Sequence, residues 1–194
     1  MVMSNLLQKF MVDFKEKNIL GYQLVNDSND ALSSILRSEI LNNDLQAFLE
    51  DETGSLIAVW KINDQQNSIV YLNSEGGTFA VLAENFEQFL SLLYYGTYGS
   101  LELIHYLDYL KIKSIYENLG AEFTEPAPSG MSPTELRDIM EKNNQEYVDS
   151  DFVFKWLEDN KISPPKSLFE IVTIAYENSP NFDNFLNERI GPAT

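Results

Sequence analysis

Two adjacent stretches set the architecture of this chain: LQAFLEDETGSLIAVWKI (residues 45–62) and SIVYLNSEGGTFAVLA (residues 68–83). Both are rich in β-branched and aromatic residues and are interrupted by Gly, Asn, Asp and Ser, which is typical of short strands separated by turns. We predict strands over residues 45–49, 55–62, 68–73 and 78–82. Connections this short join only antiparallel neighbours, so the four strands form a meander.

Helical patterns flank this predicted sheet. Residues 4–17 carry apolar side chains at helical spacing, and Asp30 is placed to cap a second short helix. After the sheet, a helix begins at Glu84 or Asn85, and residues 100–119 form another. We therefore predict an α+β fold in which a central antiparallel β-meander has helices packed on one side, followed by a helical C-terminal extension.

The organisation beyond the sheet follows from composition. Residues 121–131 (AEFTEPAPSGM) contain two prolines and a glycine without apolar periodicity, which indicates a loop or hinge. The segment Ser132-Pro133-Thr134-Glu135 combines a capping serine, a proline at the first helical position and a glutamate, a pattern that predicts a helix start. We predict an α+β domain at residues 1–120, a Pro-rich loop at 121–131 and a helical extension at 132–194, packed on the first part.

Charge narrows the class of partner. Thirty acidic residues against thirteen basic ones give a net charge of −17, which repels phosphate backbones and anionic lipid. Between residues 38 and 110 the only lysine or arginine is Lys61, against eleven acids. We expect no nucleic-acid or membrane partner and favour a basic protein surface, because opposite potentials speed encounter. The alternative is that the charge only keeps the chain soluble.

The expected compartment is the cytoplasm. The chain has no cysteine, which suits a reducing environment. The N-terminal residues lack the uninterrupted apolar run of a signal peptide, because Gln8, Lys9 and Asp13 break it, and no other run is long enough to span a bilayer.

Catalytic patterns are sparse. His105 is the only histidine and lies in the middle of a predicted helix, without a nucleophile motif nearby. One histidine and no cysteine argue against transition-metal sites, and the acidic stretch at residues 26–30 departs from a calcium loop at Ala31 and Arg37. We expect a non-catalytic protein without cofactor or metal; a carboxylate-based hydrolase remains an alternative, because paired acids could serve glycoside hydrolysis.

The candidate partner-binding residues are acids near the predicted strand ends, together with two aromatic residues on neighbouring strands. Trp60 and Tyr71 are either anchors for a partner or core residues, and the core reading is the commoner one for aromatic pairs on a meander. The predicted set is Glu50, Asp51, Glu52, Trp60, Asp64, Tyr71, Glu75 and Glu84.

Three motifs in the central segment resemble the SUKH superfamily (Smi/Knr-like proteins). An Asp-x-Thr-Gly turn is formed by Asp51, Thr53 and Gly54, and a Leu-x-Ser-Glu-Gly turn by residues 72–76. An Ala-x-Asn-Phe-x-x-Phe-Leu helix start follows at residues 83–90. The resemblance covers about residues 45–96, roughly a quarter of the chain, and its order and spacing agree with the family. The family's usual N-terminal segment and a counterpart to the residues after Gly99 are not found.

The resemblance implies an α+β fold with a central antiparallel sheet and no catalytic centre. It also implies a protein partner, because bacterial members are mostly immunity proteins that neutralise toxins, and fungal relatives are interaction hubs in cell-wall regulation. Together with the acidic charge, this favours an immunity protein for a basic toxin domain. A regulatory scaffold of the cell-wall type is the alternative. Neither reading predicts the oligomeric state.

Overall fold

The structure, a computed structural model, describes residues 4–36, 44–76, 79–128 and 147–190, together with Glu135, Asp138 and Lys142. The predicted helix start at residues 132–134 lies outside the described residues.

The described residues form five strands and seven α-helices. The strands are β1 (Tyr22–Leu24), β2 (Leu45–Asp51), β3 (Leu56–Lys61), β4 (Asn67–Leu72) and β5 (Phe79–Ala83). The helices are α1 (Asn5–Asp13), α2 (Ser28–Leu36), α3 (Phe86–Leu92), α4 (Gly96–Asn118), α5 (Ser150–Asp159), α6 (Leu168–Asn178) and α7 (Phe182–Ile190), with a 3₁₀ turn at Leu93–Tyr95. The predicted α+β class, with its antiparallel meander and C-terminal helical region, is confirmed.

The strands form one sheet in sequence order, β1-β2-β3-β4-β5, with every neighbouring pair antiparallel. The four predicted strands are the meander, and β1 adds a fifth strand at its edge. A register shift between Ala47 and Leu49 interrupts the β2–β3 ladder. As a result, Phe48 and Leu49 both join the same hydrophobic cluster.

One face of the sheet packs against N-terminal and central helices. Ile57 and Ile69 project from β3 and β4 into a cluster with Phe10 of α1 and Phe89 of α3. Phe48 lies edge-on to Phe89, with ring centroids 5.5 Å apart. The alternating strand positions supply these residues because successive side chains point to opposite faces.

The other face is also covered by helices, which differs from the expectation of helices on one side. Leu32 of α2 and Phe182 of α7 pack there against Ala58, Trp60 and Val70. The physical reason is visible in β3 and β4, whose apolar residues run almost without interruption, as in strands that are buried on both faces.

The C-terminal helices contribute to both clusters. Val153, Trp156 and Val172 belong to the cluster on the α1 side, whereas Ala175 and Phe182 belong to the other. Helix α6 packs against the edge strand β5 and supplies residues to both clusters. Covering an edge strand in this way protects it from pairing with another chain.

Helix ends follow local chemistry, with one difference from expectation. Ser4 caps α1 by accepting a hydrogen bond from the N–H of Leu7, and Asn85 caps α3. Helix α2 starts earlier than predicted, because the carboxylate of Asp27 accepts the N–H groups of Asn29 and Asp30. Asp30 lies instead in the first turn, where a negative charge suits the helix dipole.

Candidate interaction surface

The β2–β3 turn is held by one carboxylate. Oδ1 of Asp51 accepts hydrogen bonds from the N–H of Thr53, the hydroxyl of Thr53 and the N–H of Ser55, at 2.9, 2.6 and 3.0 Å. Gly54 adopts φ of 84°, which a residue with a side chain rarely adopts. The Asp-x-Thr-Gly sequence is therefore a turn whose aspartate is committed to the backbone.

The β4–β5 turn lies beside it at the same end of the sheet. The Ser55 hydroxyl accepts the N–H of Ser74 at 3.2 Å, and the two serine hydroxyls are 3.3 Å apart. Asn73 accepts the N–H of Glu75, and Gly76 adopts φ of 78°. Residues 51–55 and 73–76, which belong to two of the motifs quoted for the resemblance, are thus in direct contact, and side-chain hydrogen bonds hold both segments.

Four acids gather on these turns. We call Glu50, Asp51, Glu52 and Glu75 the acidic end. Glu50, Glu52 and Glu75 are exposed, whereas Asp51 is half-buried. None of the ion pairs among the described residues involves any of the four. Their negative potential is therefore not compensated by a neighbouring lysine or arginine of the described chain.

A shallow depression of about 260 Å³ adjoins the acidic end. Its walls are formed by Asn18, Gly21, Gln23 and Tyr147 as well as by the carboxylates of residues 50–52. The sequence patterns did not predict that Asn18 and Tyr147 lie beside these acids, because both residues belong to segments that are distant in the sequence. Within the described residues, no group of three or more His, Cys, Asp or Glu side chains is arranged to hold a metal ion.

Two predicted acids lie at the opposite end of the sheet. Asp64 follows β3 and pairs with Lys61 at 2.7 Å, with its side chain 93% exposed. Glu84 follows β5 and accepts hydrogen bonds from Asn178 at 2.9 Å and Gln88 at 3.4 Å. The predicted acids therefore divide into two groups, and only the acidic end presents several of them together.

Trp60 and Tyr71 are core residues, so they are not exposed anchors. Trp60 is 2% exposed and packs on Phe182 and Phe185 of α7, with ring centroids 4.8 and 5.0 Å away. Tyr71 is 5% exposed, and burial raises the pKa of its hydroxyl, as do the nearby carboxylates of Asp51 and Glu75. Other residues of the chain cover both side chains, and those that cover Trp60 belong to α7, which is distant in the sequence.

Helix α4 carries an apolar surface that sequence reasoning missed. The apolar residues at helical spacing in the sequence of this helix are Leu103, Ile104, Leu107 and Leu110. Of these, Leu103 and Leu107 are buried. A second set at helical spacing is exposed by 43 to 77%; we call it the apolar stripe: Ile112, Ile115, Tyr116 and Leu119. At 100° per residue this set lies opposite Leu103 and Leu107, a signal that was available in the sequence.

His105 is exposed on α4 and makes no hydrogen bond with a described hydroxyl or carboxylate. None of the helices in the described segments combines the length and the apolar character needed to cross a lipid bilayer.

In comparisons with known proteins, no family model, curated protein or solved structure matches the chain.

Proposed function

We propose that this chain is a non-catalytic binding protein, an immunity protein that neutralises a bacterial toxin domain with a basic surface. The observation that carries the proposal is the acidic end, where four carboxylates on two adjoining turns have no ion-pair partner among the described residues. The resemblance of the same turns to the SUKH superfamily supports it independently of charge.

The hydrogen bonds around Asp51 and Ser55 favour binding. Asp51 and Ser55 hold their turns through hydrogen bonds of 2.6 to 3.3 Å, so the exposed carboxylates of Glu50, Glu52 and Glu75 are presented on ordered backbone. Ordering that precedes binding lowers the entropy cost of the complex. In addition to burial, the carboxylates of Asp51 and Glu75 both raise the pKa of the Tyr71 hydroxyl, so the two acids lie near the same buried residue.

A negative surface of this kind suits a toxin that acts on nucleic acid. Such a toxin needs a positive surface for phosphates, and an inhibitor that covers this surface excludes the substrate. Opposite potentials speed association and make it sensitive to salt. We place this activity in the cytoplasm, where a cysteine-free chain is suited to the reducing environment.

The test begins with capture of a partner on the full chain at low and at moderate salt, followed by expression of the captured protein alone and together with this chain. We expect a basic protein that arrests growth alone and is harmless when co-expressed. The variant Glu50→Lys, Glu52→Lys, Glu75→Lys should slow association about tenfold or more and fail to protect, because the charges now repel. Asp51 is left unchanged since it holds the turn.

A matched variant separates local charge from total charge. Glu158→Lys, Glu170→Lys and Glu188→Lys change the net charge equally, at exposed positions on α5, α6 and α7. This variant should still protect cells. Equal protection by both variants, or a captured protein with no toxicity, would reject the proposal, and recovery of several regulatory proteins would favour the scaffold alternative.

A further inference from the structure

The apolar stripe on α4 has the form of a docking surface. The side chain of Leu119 is 77% exposed and that of Ile115 is 57% exposed. Leu103 and Leu107, which are also four residues apart but lie on the other side of the helix, are buried. Four large apolar side chains in two turns form a ridge about 10 Å long at 1.5 Å rise per residue, and one of them, Tyr116, also packs on Phe123 with ring centroids 5.3 Å apart. Single exposed apolar residues are ordinary, whereas a contiguous set marks an interaction site.

A groove adjoins this ridge. Ile115 forms part of the wall of a depression of about 450 Å³ that is bounded by α4, by Phe79 and Val81 of β5 and by the turn between α6 and α7. The lining is mixed, with Tyr176 and Ser114 beside the apolar residues. A side chain that packs on the ridge can therefore extend into a concave site, which a flat apolar patch does not offer.

Charge around the stripe selects the occupant. The two nearby lysines are already paired: Lys111 with Asp183 at 2.8 Å and with the carbonyl of Phe79, and Lys113 with Glu117 at 3.7 Å. Three acids have no ion pair among the described residues: Glu122 and Glu125, which follow the helix end, and Glu177, which lines the groove. The surroundings of the stripe are therefore negative.

We propose that the apolar stripe and its groove bind a basic amphipathic helix of a protein partner, with apolar side chains on the ridge and lysine or arginine toward Glu122, Glu125 and Glu177. A second copy of this chain is disfavoured because each copy carries a charge of −17, and the same charge opposes an anionic membrane. This surface shares no residue with the acidic end, and the proposal does not depend on the function proposed for that end.

The probe is a synthetic peptide of about 18 residues, five helical turns, made of leucine and lysine with leucines at helical spacing. Fluorescence anisotropy with the full chain compares it with a scrambled peptide of the same composition. We expect tighter binding of the patterned peptide, and a loss of about tenfold or more in the variant Ile115→Gln, Leu119→Gln, since two apolar contacts disappear.

The matched control is Val12→Gln, Val148→Gln, which changes two apolar residues that are 75% and 97% exposed elsewhere on the chain. It should bind as the unmodified protein does. Replacing Glu122, Glu125 and Glu177 by Gln should weaken binding and its salt dependence, whereas replacing Glu50, Glu52 and Glu75 by Gln should leave it nearly unchanged. The last comparison distinguishes this proposal from that for the acidic end.

Several results would overturn the proposal. One is equal binding of the patterned and scrambled peptides, and another is equal binding by the stripe variant and the unmodified chain. A dimer in sedimentation that Leu119→Gln dissociates would make a second copy the occupant. Stripe-dependent binding to anionic phospholipid vesicles would assign the surface to membrane instead.

Discussion

The two tryptophans lie in clusters on opposite faces of the sheet, and the clusters are built differently. Trp156 of α5 packs edge-on to Phe10 and Phe14, and its N–H donates to Asp13 at 2.7 Å. Trp60 of β3 is covered by two aromatic rings of α7. Both clusters join the C-terminal helices to the first half of the chain. Among the described residues, only the tryptophan of the first cluster donates a hydrogen bond to a carboxylate, so we expect acid to affect the first cluster more than the second.

The largest expected effect comes from truncating either tryptophan. Trp156→Ala and Trp60→Ala should each lower the free energy of unfolding by about 3–5 kcal/mol, because each leaves a cavity among buried aromatic rings. Urea denaturation at neutral pH measures this, with Val148→Ala, at a residue that is 97% exposed, as the control. If the free energy of unfolding of one variant is unchanged, the cluster around that tryptophan does not stabilise the packing of the C-terminal helices.

A milder substitution sharpens the difference between the clusters. Trp156→Phe and Trp60→Phe remove similar amounts of ring, but only the first also removes the hydrogen bond to Asp13. Trp156→Phe should therefore be the less stable of the two by about 1 kcal/mol. The same urea titration measures the difference, and equal stabilities would show that solvent replaces this hydrogen bond without loss.

Acid should act on the Trp156 cluster. The hydrogen bond from Trp156, followed by that from Lys9, lowers the pKa of Asp13. Lys17, followed by the N–H of Asn18, lowers the pKa of Asp149. A depressed folded-state pKa gives stability that is present above the unfolded value, about 3.9, and is lost as the pH falls through the folded-state value.

Stability measured between pH 6 and 2 tests this directly. The variants Asp13→Asn and Asp149→Asn should be less stable than the unmodified chain at neutral pH. Below about pH 4, each variant should lose less folding stability than the unmodified chain does. Trp60→Phe should keep the original acid dependence, because its cluster holds neither carboxylate. If the Asn variants lose as much stability in acid as the unmodified chain, these carboxylates do not set its acid sensitivity.

The smallest effects concern the ion pairs beside each cluster. Lys17 pairs with Asp149 at 2.9 Å, and Arg189 pairs with Asp44 at 3.2 Å. Both pairs are partly exposed, so Lys17→Met and Arg189→Met should each change the unfolding free energy by less than about 1 kcal/mol. The effect of Lys17→Met should be the larger, because the Lys17–Asp149 pair is the less exposed of the two. Thermal unfolding at low and high salt compares them, and a larger effect of Arg189→Met would contradict the ranking.

Local features were predictable where neighbouring residues determine the outcome. The turns at Gly54 and Gly76 and the Asn85 cap depend on residues within a few positions. Their sequence signals identified the two turns and limited the start of the helix to Glu84 or Asn85. The start of α2 was misplaced because Asp27 and Asp30 both offer a capping carboxylate, and only the path of the backbone chooses between them. The acidic end was predicted in part, since Glu50, Asp51, Glu52 and Glu75 were named while Asn18 and Tyr147 were not.

Contacts between distant segments were not predictable from patterns. Trp60 was assigned both a core and an anchor reading, and it is core because Phe182 and Phe185, more than 120 residues away, pack on it. The helices on the second face were missed for the same reason. The uninterrupted apolar run at residues 56–60 was the available signal, because a strand with one face in water alternates.

By itself the sequence determined the antiparallel meander, the turn chemistry and the acidic character of the chain, because each follows from residue type and short-range spacing. Only the tertiary structure decided which face each distant helix covers, which acids share one end of the sheet and which apolar residues of α4 remain uncovered. These depend on where segments far apart in the chain come together, and hydrophobic burial is non-directional, so composition alone does not select the partners.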